Sequence, residues 1–203
     1  DGTLANQVTK GRWALASSGG GAFWVRQAIV GVDEKTGWIY FTALEQSSLE
    51  RHLYRIRPDG SGFMRLSKEP GAHRISMPPD ARYFLDRYSD VRTLPALRLH
   101  ASDGPLVQTL AASRPELLAP FEVQLPEFFT IPADNGFAMP AEVLKPKNFR
   151  PDRRFPVVMY IYGGASAPQV TNSWQGDTLW NNLLLNAGYV VVKVDNRSAT
   201  GIS

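Results

Sequence analysis

The 203-residue sequence contains no cysteine, which excludes disulfide bonds and thiolate metal sites. It also has no apolar run of the ~20 residues that a membrane-spanning helix needs. Its 22 lysines and arginines face 19 aspartates and glutamates, and the net charge of +3 is spread along the chain without a basic cluster. We therefore expect no nucleic-acid partner and no membrane span within this chain.

Several motifs that carry chemistry are missing as well. The sequence has no Gly-x-Ser-x-Gly, the motif that places a serine nucleophile on a sharp strand-to-helix turn. Gly164-Ala165-Ser166-Ala167-Pro168 comes nearest and lacks the final glycine. Gly19-Gly20-Gly21 lacks the residues that would complete a phosphate-binding loop. No spacing of His, Asp or Glu suggests a metal site, and we expect no cofactor.

The first half of the sequence has the alternating pattern of β-strands, with turn residues between the strands. Two of the turns contain Asp-Gly, a strong hairpin signal because glycine accepts the positive φ that such turns need. The predicted strands are 22–32, 38–43, 52–57, 63–66, 82–88, 96–100 and 106–110.

An internal repeat underlies this pattern. Leu53-Tyr54-Arg55-Ile56 leads to Asp59-Gly60, and Leu97-Arg98-Leu99-His100 leads to Asp103-Gly104, 44 positions later. A four-stranded unit of about 40–50 residues is typical of a β-propeller blade, and a plain antiparallel meander is the alternative. Because two blades cannot close a ring, the repeat predicts a fragment cut on the N-terminal side.

The pattern changes after residue 112. Residues 113–127 read as a short helix and a linker between two domains. Strands are then predicted at 128–131, 138–144, 155–162 and 189–194, and a helix at 174–187 with Trp180, Leu183, Leu184 and Ala187 on one face. The continuous apolar runs of the last two strands predict a mostly parallel sheet that is buried on both faces.

The most informative stretch is 156–165, an apolar strand that ends on Tyr162 and is followed at once by Gly163 and Gly164. A polar aromatic beside a glycine turn at the end of a buried strand is a common position for chemistry in α/β proteins. The alternative is that Tyr162 merely caps the strand with its ring in the core. For Tyr160, within the strand, we expect core packing.

The order of these motifs resembles the prolyl oligopeptidase family of serine peptidases, and within it the dipeptidyl peptidase IV branch. The motifs that fall in family order are Thr9-Lys10-Gly11-Arg12-Trp13, Leu53-Tyr54-Arg55-Ile56, Phe128-Phe129-Thr130-Ile131, Tyr162-Gly163-Gly164 and Asp195-Asn196-Arg197. The resemblance implies the C-terminal blades of a β-propeller over 1–112, a linker over 113–127 and the incomplete first part of an α/β-hydrolase domain over 128–203.

The resemblance also implies a function. The family member would be a serine exopeptidase that releases N-terminal X-Pro or X-Ala dipeptides by Ser-His-Asp acyl transfer, with the triad outside this chain. Tyr162 matches the tyrosine whose hydroxyl completes the oxyanion hole. The Asp195-Asn196-Arg197 turn is expected to hold the rim of the active site through local bonds. Peptide substrates, a homodimer, and a periplasmic or secreted location are implied with it.

The remaining histidines and glutamates offer no catalytic set on this sequence. His52, His73 and His100 precede the place of the catalytic base, and we expect them at the surface or in loops. Glu45, Glu50 and Glu69 do not reproduce the paired glutamates that bind the substrate's amino end. The alternatives are a related tripeptidyl or acylaminoacyl peptidase, and a non-catalytic propeller-type binding or structural module. The 203 residues alone are expected to be inactive.

Overall fold

The computed structural model describes residues 3–16, 28–164 and 167–200. The chain divides into two compact units, one of Asp1–Ser89 with Pro95–Ala112 and one of Asp90–Leu94 with Ser113–Ser203. Gly19-Gly20-Gly21, most of the predicted strand 22–32 and the pair Ala165-Ser166 lie outside the described residues. None of the described helices is long and apolar enough to cross a membrane.

The described residues of the first unit form two four-stranded antiparallel sheets, and strands that follow each other in the chain are neighbours in each sheet. At the two Asp-Gly turns, Gly60 has φ +85° and Gly104 has φ +118°, which explains why glycine stands there. The first sheet is β1 (Ile29–Asp33), β2 (Trp38–Ala43), β3 (His52–Ile56) and β4 (Met64–Arg65). The second sheet is β5 (Ala72–Ser76), β6 (Tyr83–Ser89), β7 (Ala96–Ala101) and β8 (Leu106–Ala111).

The first sheet is covered on both faces because successive residues of β2 point to opposite sides. Tyr40 joins a buried cluster with Leu53 of β3 and Phe84 of β6, which ties the two sheets together. Phe41 joins a second cluster on the other face, where Trp13 stacks on it with ring centroids 6.3 Å apart. The unit therefore has an apolar layer between its sheets and another beneath the first.

Two histidines occupy the interior of this unit, so the expectation of surface or loop positions is wrong for His52 and His73. Their rings lie 5.2 Å apart. His52 bonds to Ser67 and Glu50, at 3.0 and 3.1 Å. His73 bonds to the Asp86 carboxylate at 2.7 Å and to a backbone carbonyl at 2.9 Å. Burial is tolerated because both nitrogens of each ring have partners.

The buried position of His73 also explains a missed strand. The strand β5 reads Ala-His-Arg-Ile-Ser, and its inward positions are His73 and Ile75. A histidine at an inward position breaks the apolar alternation by which strands are recognised in sequence. The other predicted strands that lie wholly within the described residues agree with observed strands to within about two residues at each end.

The second unit contains one four-stranded sheet in the order β11-β12-β10-β9. Of the three pairings between its described strands, only β11 with β12 is parallel, so the mostly parallel prediction is wrong and the sheet is mixed. Its strands are β9 (Glu127–Pro132), β10 (Ala138–Leu144), β11 (Val157–Tyr160) and β12 (Val190–Val194). A 3-10 helix, Pro115–Phe121, precedes them, α1 (Thr178–Asn186) joins β11 to β12, and α2 (Arg197–Thr200) follows.

The helix α1 presents a different face to the unit from the one predicted. Trp180 and Leu183 are 56% and 62% exposed, whereas Asn181, Asn182 and Leu185 are buried. Asn182 donates to the Phe121 carbonyl at 2.6 Å, and its side-chain oxygen accepts from the Gln124 backbone, so a polar face is held inward by hydrogen bonds. Of the predicted apolar face, Trp180, Leu183 and Ala187 lie outward, whereas Leu184 packs against the buried cluster as predicted.

One face of β11 is also uncovered. Val157 and Met159 are 58% and 52% exposed, so the expected burial of both sheet faces is not met by this strand. On the opposite side Val158 and Tyr160 pack against the cluster of Leu144, Leu185 and Val191. The Tyr160 hydroxyl accepts a hydrogen bond from the Trp180 indole at 3.0 Å. The sheet of the second unit thus has one packed side at β11 and one bare side.

Candidate functional site

Tyr162 lies beyond the end of β11, two residues after Tyr160, and its side chain is 56% exposed. Its ring is therefore not in the core of this chain. The strand supports the residues that precede it, and the turn that follows it contains Gly163 and Gly164. More than half of Tyr162 is therefore accessible to solvent at this end of the strand.

The two glycines shape the turn for different reasons. Gly163 has φ +69°, a backbone conformation that residues with a Cβ rarely adopt. Gly164 has no positive φ, but the Tyr162 ring lies against its backbone. A Cβ added at Gly164 would stand 2.9 Å from Tyr162 Cδ1 and 3.2 Å from Cζ, which is closer than carbon atoms pack. Glycine at 164 is what allows the ring to rest there.

The turn contacts the segment that follows β12. The Asn196 amide donates to the Gly163 carbonyl at 3.4 Å, and the Ser198 hydroxyl reaches the same oxygen at 3.5 Å. The Asn196 side-chain oxygen accepts from the Ser198 hydroxyl and the Ala199 backbone, both at 2.9 Å. Asn196 is therefore held from its own side and bridges α2 to the turn beside Tyr162.

Asp195 is buried and holds a more distant part of the chain. Its carboxylate accepts hydrogen bonds from the backbone N–H of Gln169, at 2.9 and 3.0 Å, and of Val170, at 2.8 Å. Burial raises the pKa of Asp195, and these two donors and Lys193 oppose the rise. The neighbouring Arg197 guanidinium lies over the Phe137 ring, 4.9 Å from its centroid.

A buried ion cluster lies beside this region, and sequence reasoning did not find it. Lys193 and Glu142 stand directly opposite each other on β12 and β10 and are both almost completely buried. Lys193 Nζ lies 2.8 Å from Gln175 Oε1, 3.0 Å from Asp177 Oδ2 and 3.3 Å from Glu142 Oε1. The signal was present, because each strand carries one charge of opposite sign within an apolar run.

The electrostatics of the cluster follow from its burial. Burial raises the pKa of Glu142, and the charge and hydrogen bond of Lys193 oppose that rise. The cluster lines a small cavity together with Thr178 and Asn181. In the part of the chain that the structure describes, no group of three or more His, Cys, Asp or Glu side chains is arranged to hold a metal ion.

Tyr162 is the residue of this region whose side chain combines exposure with a polar group predicted from the sequence to carry chemistry. A phenol O–H at a fixed position can donate a hydrogen bond to an oxygen atom that carries developing negative charge. The charged residues Lys193 and Asp195 are buried behind the turn and face protein atoms. Their geometry fits them for holding the chain in place.

The known proteins that are similar to this chain are named alike, and together they match most of its length. The family model described as the dipeptidyl peptidase IV N-terminal region matches residues 1–95. "Probable dipeptidyl-aminopeptidase B" of Uncinocarpus reesii is 30% identical over 196 residues, which cover 94% of this chain and 20% of that protein. "Dipeptidyl peptidase 8" of Mus musculus is 28% identical over 201 residues, which cover 95% of this chain and 22% of that protein.

A solved structure is similar over nearly the same range. The crystal structure of Porphyromonas gingivalis dipeptidyl peptidase 4 superposes with a TM-score of 0.82 at 26% sequence identity. The match covers 97% of this chain and 26% of that chain. The chain thus spans about a fifth of the length of the curated relatives it matches.

Proposed function

The chain belongs to the dipeptidyl peptidase IV family, and from this premise we propose that it is part of a serine-type dipeptidyl peptidase. The enzyme would release X-Pro or X-Ala dipeptides from the amino ends of peptides. The family expected from the sequence is confirmed. Peptides are the substrates that the names of the relatives suggest, and we propose a homodimer as the assembly of the whole protein.

The proposed domains keep the boundaries inferred from the sequence. Residues 1–112 would be propeller blades, supported by the two four-stranded meanders. Residues 113–127 would be a linker, and residues 128–203 the beginning of an α/β-hydrolase domain. The parallel pair β11 and β12 with α1 between them supports the latter, because a strand-helix-strand crossover is the building unit of such domains.

Tyr162 carries the proposal at the level of chemistry. Attack on a peptide carbonyl places negative charge on the carbonyl oxygen, and a fixed O–H donor stabilises that charge in the transition state. The exposed hydroxyl of Tyr162, on a ring seated against Gly164, is the observation that supports this role. The serine nucleophile, the histidine and the aspartate would lie outside this chain. The 203 residues alone would then be inactive.

The experiment is Tyr162→Phe in the full-length peptidase, assayed with a Gly-Pro chromogenic substrate. The variant keeps the ring and removes only the hydroxyl, so we expect kcat to fall about 10²–10³-fold while KM changes little. Tyr189→Phe is the matched control, because Tyr189 is also partly exposed, at 37%, and lies at the opposite end of the parallel pair. An unchanged kcat in Tyr162→Phe would remove the oxyanion role.

The alternative peptidases are separated by the choice of substrate. Three substrates carry the same chromogenic leaving group on a dipeptide, a tripeptide and an acylated amino acid. Their relative rates report which N-terminal unit the active site accepts. Preferred turnover of the dipeptide supports the proposed specificity. Preferred turnover of either other substrate would assign the protein to a tripeptidyl or acylaminoacyl peptidase. Binding without turnover of any of the three by the full-length protein would favour a non-catalytic module.

A further inference from the structure

The end of β12 carries two buried charges on the same face. Side chains alternate along an extended chain, so Lys193 and Asp195, two residues apart, point in the same direction. Both are buried, at 3% and 2% exposure, whereas Val192 and Val194 before and between them are only partly buried. Charged groups are placed in an interior only where specific partners compensate the loss of water. Those partners indicate what the two residues do.

Apart from Glu142 on β10, which lies 3.3 Å from Lys193, the hydrogen-bond and ion-pair partners of both charges belong to one segment, residues 167–177. Asp195 binds the backbone N–H groups of Gln169 and Val170, at 2.8–3.0 Å. Lys193 binds the Gln175 side-chain oxygen at 2.8 Å and Asp177 at 3.0 Å. Two points of the segment are therefore fixed to two buried residues on the same side of the chain, one in β12 and one directly after it.

Gln175 connects the two anchors. While its side-chain oxygen accepts from Lys193, its amide donates to the Gln169 carbonyl at 3.1 Å and to the Thr171 hydroxyl at 3.0 Å. Gln169 in turn donates its backbone N–H to Asp195. The bonds thus form a closed circuit that runs from Asp195 through Gln169 and Gln175 to Lys193. Gln175 is thus the side chain that links the Lys193 end of the circuit to the Asp195 end.

The same stretch of chain reaches the turn beside Tyr162. Asn196, the residue after Asp195, donates to the Gly163 carbonyl at 3.4 Å. Asn196 therefore holds the turn at Gly163, while Asp195 and Lys193 hold the later segment at Gln169 and Gln175. A hydroxyl that must meet one oxygen atom needs this kind of support, because about 1 Å of misplacement lowers rates by about 10²-fold.

We propose that Lys193, Asp195 and Gln175 are positioning residues that fix the turn carrying Tyr162. The proposal rests on the oxyanion role proposed for Tyr162. None of the three residues is expected to touch the substrate. Their effect on the reaction passes through the position of the Tyr162 hydroxyl, and this makes it separable from a general loss of stability.

The test is a double-mutant cycle between Gln175→Leu and Tyr162→Phe in the full-length peptidase, with a Gly-Pro chromogenic substrate. With Tyr162 present, we expect Gln175→Leu to lower kcat about tenfold or more while KM stays within about twofold. In the Tyr162→Phe background, we expect the further loss caused by Gln175→Leu to shrink below about twofold, because no hydroxyl remains to be misplaced. Hydrogen exchange of peptides covering 167–177 should be faster in Gln175→Leu.

The outcomes are distinct. An equal fall in kcat in both backgrounds would overturn the positioning role and leave a structural one. An unchanged kcat in Gln175→Leu would overturn it too, even if exchange is faster. If Tyr162→Phe alone leaves kcat unchanged, the oxyanion role itself is wrong and the positioning proposal falls with it. If Tyr162→Phe lowers kcat strongly but the effects of the two substitutions are additive, only the positioning proposal is rejected.

A second variant covers the case in which Gln175→Leu does not fold. Asp195→Asn keeps the size of the side chain and weakens the bonds to the Gln169 and Val170 N–H groups, so the same cycle with Tyr162→Phe applies. Gln175→Glu gives the conservative comparison, since it keeps an acceptor for Lys193 and loses the donor to Gln169 and Thr171. We expect its kcat to lie between those of the wild type and Gln175→Leu, and a kcat below that of Gln175→Leu would contradict the circuit.

Discussion

Replacing Gly164 by alanine changes the support of the Tyr162 ring without changing the ring itself. Gly164 has an ordinary φ, so an alanine introduces no backbone strain there, in contrast to Gly163 at φ +69°. The new methyl group would stand 2.9 Å from Tyr162 Cδ1 and still closer to Cε1. The conflict is therefore confined to the contact between the methyl group and the ring.

The size of the effect follows from this contact. Carbon atoms pack at about 3.5–4.0 Å, so the ring must retreat by roughly 1 Å. A displacement of about 1 Å at a reacting group lowers rates by about 10²-fold. The complete loss of the donor, about 10²–10³-fold, sets the upper limit. Because the ring is 56% exposed, it can move into solvent, and the free energy of unfolding should change by less than about 0.5 kcal/mol.

The assay is kcat and KM of the full-length peptidase on a Gly-Pro chromogenic substrate, together with thermal denaturation. Gly176→Ala is the matched control, because a Cβ at Gly176 meets nothing within 4 Å and its φ is ordinary. We expect kcat of Gly164→Ala to fall by about 10²-fold and that of Gly176→Ala to stay within about twofold. The reasoning is refuted if Gly164→Ala retains the wild-type kcat, or if both alanines lower kcat equally.

Two further predictions concern stability. Burial lowers the pKa of His52, so the unfolded chain binds a proton more readily than the folded one. The stability of the first unit should therefore rise with pH, and the contribution of His52 should be lost as the pH falls below about 6.5. Thermal denaturation between pH 5 and 7.5 measures this, and a His52→Gln variant with the same pH slope would contradict it. Lys193→Met leaves Glu142 buried without its partner and should lower the free energy of unfolding by about 3–5 kcal/mol. The double variant Lys193→Met with Glu142→Leu should recover most of that loss. Urea denaturation compares the two, and a double variant as unstable as the single one would contradict the prediction.

The sequence predicts elements well where local chemistry decides them. The strands at 38–43 and 138–144 are predicted at the observed bounds, since each is a short, mostly apolar run that follows turn residues. The hairpin glycines at 60 and 104 follow from the positive φ that the turns require. The family, too, could be inferred from the order of short motifs.

What the sequence did not predict depends on contacts between distant residues. The inward face of α1 includes Asn182 beside Leu185, because Asn182 finds partners at Phe121 and Gln124, about 60 residues away. The pairing of Lys193 with Glu142 depends on the register of β10 and β12. The exposed position of Tyr162 depends on where β11 ends, at Tyr160. If the strand continued for two more residues, the alternation of side chains would place Tyr162 on the same face as Tyr160.

The opposition of Lys193 and Glu142 has a consequence for how the sheet chooses its alignment. The strand β12 consists of four valines and one lysine, so its valines fit the neighbouring strand almost equally well after a shift along it. A shift of one residue would turn Lys193 towards the other side of the sheet, and a shift of two would separate it from Glu142. Lys193 is thus the residue of β12 that distinguishes the observed register from shifted ones. Replacing both Lys193 and Glu142 by apolar residues would keep the strands packed together but remove this distinction. The two strands would then pair in several registers.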